Sequence, residues 1–423
     1  MSGRSNELVV IGGGAAGMMA AITAAQEGAA VTLLERNEKL GRKLNITGKG
    51  RCNLTNNCSA QEALANVPRN GRFLYSAFSR FDSRAAMAFF EQRGLSLKTE
   101  RGSRVFPVSD SAFDVTDTLR RSLHRLHVKI IHDRAAHLLR DESGALCGVE
   151  GEKRTYPCRC VILATGGVSY PATGSTGDGY RIAAEAGHTI VAPKASLVSL
   201  VCADACCGAM QGLSLRNVAL TVKDQKKKTI YRDFGEMLFT DRGVSGPMIL
   251  SASAHLRDYE KNRYELIIDL KPALDEQQLE ARLLRDLEAR HNRDFSNVLA
   301  GLVPHSMIPV LIGRTEIPGG TKANAVTRAQ RRRLLETLKQ FRLSVVSAGP
   351  IEQAIVTSGG VSTKEIDPAT MASKKLPGLY FAGEIIDVDA YTGGFNLQIA
   401  WSTGRAAGQA AAQYDVTERR GPL

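Results

Sequence analysis

The sequence predicts an α/β fold: a parallel-sheet domain whose chain is split by an inserted, largely antiparallel one. Three observations carry the prediction. A short apolar run at Glu7–Ile11 leads into glycines at positions 12, 14 and 17 and then an alanine-rich stretch, the order strand, tight turn, helix. From about Pro193 the texture changes to short strands separated by polar or lysine-rich turns, the habit of antiparallel sheets. Near Leu343 it reverts to short strands and glycine loops and closes on an alanine-rich helix. The boundaries read this way are residues 1–193 and 345–423 for the two parts of the split domain, and 194–344 for the insert.

The elements follow in order. Glu7–Ile11 has the apolar character of a strand buried on both faces, and Met18–Gln26 is built of good helix formers. Gly28 fits a helix C-cap, and Val31–Leu34 is the next buried strand. A polar, basic, glycine-rich loop runs from Arg36 to Asn57, followed by helical patterns at Ser83–Arg93 and Ala112–Leu126. Strands at Val128–Ile131, Ala136–Leu139 and Tyr156–Leu163 lead into a second glycine-rich loop, Thr165–Gly179. The insert has strands at Leu197–Val201, Val218–Val222, Thr229–Asp233 and Tyr264–Leu270, then charged helices at Glu276–Arg290 and Arg328–Leu338. The last helix spans about Asn396–Gln413.

Composition narrows the class. The 423 residues are 43% hydrophobic and 23% charged, which excludes a mainly disordered chain. Forty glycines are clustered rather than spread, which points to close backbone approach at a ligand. Lys+Arg at 55 against Asp+Glu at 43 gives +12, a balance that suits phosphate-bearing ligands and RNA alike, and equally a solvated basic surface. No window reaches the ~18 unbroken apolar residues of a membrane span. The N-terminus lacks the pattern of an export signal, and the eight cysteines include no CxxC pair, so reduced thiols in a cytoplasmic protein without disulfides or metal are expected.

The first chemical motif is Gly12-x-Gly14-x-x-Gly17, placed between a strand and a helix. Gly12 permits the tight turn, Gly14 lets backbone approach a pyrophosphate, and Gly17 lets helix and strand pack, which aims the helix N-terminus at the phosphates. Glu35 ends the following strand, where a carboxylate accepts from the ribose hydroxyls; Arg36 beside it would suit a 2′-phosphate, but the retained acid favours an unphosphorylated ribose. The split domain is therefore Rossmann-like. This motif alone serves NAD and FAD equally, and later elements separate them. Ala164-Thr165-Gly166 follows a buried strand and resembles the element where FAD-binding chains pass close to the dinucleotide. Leu379–Glu384 is another apolar strand ending in Gly383-Glu384, an acid that in flavoproteins meets the ribitol chain. Gly394-Phe395-Asn396 opens the last helix, whose free amides would face flavin N1 and O2. FAD is the expected cofactor.

Four stretches, GRKLNITGKGRCNLTN (41–56), ATGGVSYPATGSTGDGY (164–180), LFTDRGVSGPMIL (238–250) and the long run from Val356 to Gly404, resemble the BaiN/RdsA family of FAD-dependent oxidoreductases over essentially the whole chain. The resemblance implies a discontinuous FAD-binding domain with an insert that is β-barrel-like and then helical. It carries FAD contacts onto Gly12, Gly14, Gly17, Glu35, Arg42, Lys43, Asn53, Thr165, Gly166, Gly383, Glu384, Gly394 and Asn396. Ala16, Arg36, Arg51, Cys52, Ala164, Asp387 and Phe395 lie within the same elements and complete the candidate cofactor set. Arg42, Lys43 and Arg51 make sense as cations over a dianionic cofactor.

Two residues are candidate catalytic groups. Cys52 lies beside Arg51, which would lower its pKa; the alternative is a packed thiol. Tyr391 precedes the Gly393-Gly394 turn, where it would donate a proton or stack on substrate. Tyr170, Ser175 and Thr176 read as loop-shaping residues, and Asp387 and Asp389 flank the same site, with turn formation as the alternative. No Ser-His-Asp or Cys-His arrangement is discernible, so hydrolysis is not supported. No second dinucleotide fingerprint follows, so NAD(P)H would serve as a transient reductant. The basic clusters Lys226-Lys227-Lys228 and Arg328 with Arg331–Arg333 read as a hairpin turn and a solvated helix face, or as contacts to ribosomal RNA.

The resemblance implies one of three substrates: an unsaturated bile-acid-like ketone, an rRNA uridine reduced to dihydrouridine, or aminoacetone oxidised with O2. The first two share hydride transfer from flavin N5 to an activated C=C bond, the favoured class. The alternatives are the amine oxidase and a non-catalytic flavin-bound RNA-binding protein.

Overall fold

The computed structural model describes residues 7–414. The chain divides into two compact units, one made of the chain up to Ser196 and from Ile351 onward, the other Leu197–Pro350.

The first unit is built on a five-stranded parallel sheet in the order Leu379–Phe381, Cys160–Leu163, Glu7–Ile11, Ala30–Glu35, Lys129–His132. Leu8, Val9 and Val10 are all buried, which is why this stretch is uniformly apolar instead of alternating. Two helices, Ala15–Gln26 and Phe395–Ala412, pack on one another through small residues. A Cβ at Gly404 would lie 2.5 Å from Ala16 O, and one at Gly408 would lie 2.4 Å from Ala20 O, so the two backbones touch where those glycines sit. Trp401 fills the space beneath the later helix, fully buried, and donates its indole N–H to Leu54 O at 2.9 Å.

The second unit holds a closed six-stranded barrel in the order Leu200–Cys202, Gly243–Ser245, Thr229–Phe239, Ser214–Asp224, Tyr264–Asp269, Phe341–Ala348. Buried and outward residues alternate along Tyr264–Asp269 and along Phe341–Val345, so the inner face is a core of side chains such as Leu266, Ile268, Phe341 and Leu343. Helices at Glu276–Ala289, Ile308–Thr315 and Arg328–Lys339 follow the fifth barrel strand in the chain.

The differences from the sequence reading are local. Phe341–Ala348 pairs with Leu200–Cys202 and with Tyr264–Asp269, so it closes the barrel and the second unit ends at Pro350, past the 344/345 boundary expected. Tyr156–Leu163 is two strands in different sheets, Thr155–Pro157 and Cys160–Leu163. Short helices at Ala60–Ala65 and Tyr75–Arg80 had no prediction. All eight cysteines are unpaired thiols, and no group of His, Cys, Asp and Glu among the described residues could hold a metal ion. No described helix is long and apolar enough to cross a membrane.

Candidate functional site

The central strands of the parallel sheet end level with one another, and the site is made by the residues just past their ends. Gly12 N donates to Leu34 O, Ala164 N to Ile11 O and Ala382 N to Leu163 O, at 2.8, 2.9 and 3.0 Å. Gly12 has φ +107°, and a Cβ there would meet Ala164 O at 2.5 Å. A Cβ at Gly17 would meet Gly12 O at 1.8 Å. Those two glycines are required by the protein's own packing. Gly14 is not: its φ of −81° is open to any residue, and a Cβ would meet nothing within 4 Å. It borders open space at the N-terminus of the helix Ala15–Gln26, where no side chain caps the backbone and no acid lies in the first turn.

Glu35 is buried and faces this turn. One carboxylate oxygen accepts from Gly13 N at 2.8 Å; the other accepts from Asn37 N and Asn37 Nδ2 at 2.8 and 2.6 Å. Of the four cations expected around the cofactor, three are neutralised by carboxylates of the protein. Arg36 pairs with Asp178 at 2.9 Å, and Arg134, also on Asp178, holds that carboxyl below its usual range. Lys43 Nζ lies 2.7 Å from Glu384 and donates to Ser169 Oγ at 2.7 Å. Arg51 pairs with Glu100 and Asp110 and stacks 4.2 Å over the Phe106 ring, pairings that raise its own pKa. Arg42, bonded only to Asn37 Oδ1 at 3.0 Å, has no carboxylate partner among the described residues.

The second half of the site comes from distant segments. Glu384 accepts from Thr357 N at 2.8 Å and from Ser169 Oγ at 3.2 Å besides Lys43. Gly383, at φ +75°, donates its N–H to Thr403 Oγ1, and a Cβ there would meet the Ala16 methyl at 2.6 Å. Gly166 is also left-handed, and beside it the buried Thr165 hydroxyl has no hydrogen-bond partner. At the start of the last helix Gly394, φ +101°, passes so close to Thr55 that a Cβ would lie 2.4 Å from its carbonyl. The Asn53 amide, oriented so that both its groups are satisfied, accepts from Gly394 N at 3.0 Å and donates to Thr55 O. Asn396 spends its side chain on the preceding loop, accepting from Ala390 N and donating to Ala390 O, and Phe395 is buried.

Cys52 has φ +58° and is fully buried. Burial, with a small opposing hydrogen bond from Thr47, pushes its thiol up to about 12, so the lowering expected from Arg51 does not operate. Tyr391 is half-buried, its N–H bonded to Asn66 O at 2.9 Å. Asp387 is buried and receives Asn70 Nδ2 at 3.0 Å, with Arg69 3.5 Å away; Asp389 accepts from Ser196 Oγ at 2.7 Å. Asn37, Ser169, Thr357 and Asn70 had no sequence signal as site residues, because each acts through a partner remote in the chain or by a side-chain turn. These residues fit a dinucleotide: open space before an uncapped helix, a buried carboxylate at the strand end, one uncompensated arginine and an orphaned threonine hydroxyl.

The HI0933-like protein Rossmann domain matches residues 6–410. The chain is 33% identical to the 3-dehydro-bile acid delta(4,6)-reductase of Clostridium scindens, covering 96% of this chain and 99% of that one. It is 32% identical to the ribosomal RNA dihydrouridine synthase of Escherichia coli, covering 95% and 97%. Among solved structures it resembles 3-ketosteroid-delta4-(5alpha)-dehydrogenase from Rhodococcus jostii, at TM-score 0.54 and 16% identity over 98% of this chain and 99% of that one. That last likeness bears on the fold alone. The relatives bear out the resemblance read from the sequence motifs.

Proposed function

The chain belongs to the HI0933-like Rossmann-domain family, and on that premise we propose that it is an FAD-dependent reductase of an activated carbon–carbon double bond. The observation that carries the reading is Gly14: nothing in the protein requires a glycine there, and the open space it borders lies at an uncapped helix N-terminus. The relatives support the reaction class. By the chemistry their names describe, a bile-acid delta(4,6)-reductase and a dihydrouridine synthase each saturate a double bond conjugated to a carbonyl.

Bound FAD would supply hydride from its N5 to the β-carbon of that system. Glu35 would hold the ribose hydroxyls, and Arg42 with the amides of the first helix would meet the pyrophosphate. Glu384 would reach the ribitol chain, its charge balanced by Lys43. The amides at the start of Phe395–Ala412, braced by Asn53 and Asn396, would hold negative charge at the flavin ring. Tyr391 is the candidate to deliver a proton to the α-carbon. The chain carries no second glycine fingerprint, so NAD(P)H would dock transiently as the electron donor.

The substrate is a uridine of ribosomal RNA or an unsaturated steroid-like ketone. Mass-spectrometric mapping of dihydrouridine in large-subunit ribosomal RNA, with and without this gene in its native host, tests the choice. Loss of one site on deletion, restored by the wild-type gene, supports the RNA; an unchanged map transfers the reading to the ketone.

A further inference from the structure

A second feature of the first unit is a cationic stripe in which, among the described residues, only Arg69 has a carboxylate partner, Asp387 at 3.5 Å. From Ala63 to Phe81 the sequence contains Arg69, Arg72 and Arg80 and no Asp or Glu. Gly71–Leu74 is a 3-10 turn that runs directly into the helix Tyr75–Arg80. Phe73, Leu74, Ala77 and Phe78 are buried, so the helical spacing leaves Arg72, Tyr75, Ser79 and Arg80 together on the outward face. Tyr75 is 71% exposed, and Arg72 makes no ion pair among the described residues. Elsewhere some helical arginines pair within their own helix, as Arg120 and Arg121 do with Asp117 and Arg332 with Glu336. On this face, among the described residues, Arg80 reaches only Ala369 O, at a long 3.4 Å, and Ser79 Oγ donates to Ser76 O at 2.9 Å.

The stripe is tied to the candidate site. Asn70 Nδ2 donates to Asp387 O at 2.6 Å, Tyr391 N to Asn66 O at 2.9 Å, and Arg69 to Ser358 Oγ at 3.1 Å. It is therefore fixed to the strip that leads into Gly393 and Gly394. Cations left uncompensated around an exposed aromatic ring suit a polyanion with flat faces, and single-stranded RNA has both. A steroid-like ketone would use neither.

We infer that the outward face of residues 72–80 docks the RNA strand flanking the reacting base, with Tyr75 stacking on a neighbouring base and Arg72 and Arg80 meeting phosphates. This rests on the reading of the site as a reductase acting beside Tyr391. The test uses FAD-loaded full-length protein and a fluorescent single-stranded oligouridylate of about 12 nucleotides, within the site sizes such surfaces take. Tyr75→Ala should weaken binding about 5- to 150-fold, and Tyr75→Phe should restore it, because stacking needs the ring and not the hydroxyl. Arg72→Glu should weaken binding and lower the salt-dependence slope by about 1. Poly-glutamate, a polyanion without bases, should bind weakly and be indifferent to Tyr75→Ala. Binding of the oligouridylate unchanged in all three variants, no binding by the wild type, or equal losses for poly-glutamate would overturn the inference. FAD content and reoxidation of the reduced protein by a small enone are measured on the same samples. If both persist while the RNA result fails, the docking surface is wrong and the reductase reading stands; if both are absent, the reading itself has failed.

Discussion

Lys43 Nζ sits 2.7 Å from Glu384 Oε2, joining the loop after the second strand to the segment after the last strand across most of the chain. Both side chains are about one-fifth exposed. The pair fastens together the two halves of the candidate cofactor site.

Removing one partner leaves the other charge unbalanced. Lys43→Met should cost ~1–3 kcal/mol of stability in urea unfolding of the apoprotein. The double variant Lys43→Met, Glu384→Gln should cost less than the sum of the single changes, with a coupling of about 1 kcal/mol. Strict additivity would show that the pair contributes nothing.

The glycines of the first turn should separate by role. Gly17→Ala places a methyl against Gly12 O and should destabilise the apoprotein by roughly 3 kcal/mol or more. Gly14→Ala meets open space and should keep the apoprotein's thermal midpoint, yet lose flavin. Flavin absorbance of the purified variants beside apoprotein melting curves reads both effects; a Gly14→Ala protein with full flavin would remove the ligand from this turn.

Cys52 should behave as a packing residue. Its thiol, raised to about 12 by burial, stays protonated at neutral and mildly alkaline pH. Native protein treated with iodoacetamide at mildly alkaline pH should be labelled at the exposed Cys147 and not at Cys52. Rapid alkylation of Cys52 would contradict this burial.

Acid should loosen the contacts that Glu365 makes with Thr189 and Lys375. Burial alone would raise the Glu365 carboxyl, but hydrogen bonds from Lys375, Thr189 N and Thr189 Oγ1 outweigh it and bring it from 4.5 to about 2. A depressed folded-state value means that the stabilisation is present above the ordinary carboxyl range and is lost as pH falls from 4.5 toward about 2. Glu365→Gln should therefore be less stable than wild type by ~1–3 kcal/mol near neutral pH. That gap should close on acidification; a pH-independent gap would assign the effect to packing.

What the sequence made legible was local. The turn at 12–17, the strands beside it and the last helix, placed at 396 against an observed start at Phe395, are set by residues adjacent in the chain. Ser59 and Glu62 form a capping box that marks the short helix Ala60–Ala65, a signal present but unread. The alternation in Phe341–Val345 announces a strand, but only its partners Leu200–Cys202 and Tyr264–Asp269 assign it to the barrel. Charge partners were illegible for the same reason. That Arg51 would meet Glu100 and Asp110, and that Lys43 would meet Glu384, depends on chain crossings that no local pattern encodes. The cationic loop therefore read as a cofactor clamp, without sign that its Arg36, Lys43 and Arg51 also meet carboxylates of the protein.

The central claim is that this site holds FAD and passes hydride to a conjugated double bond. The most direct measurement is anaerobic stopped-flow absorbance of the purified, pre-reduced protein mixed with an unsaturated ketone and, separately, with uridine-containing ribosomal RNA. The account predicts about one FAD per chain, reoxidised by at least one of the two in the absence of oxygen, with a saturated product. Protein that retains no flavin, or whose reduced flavin is reoxidised only by O2, would contradict it.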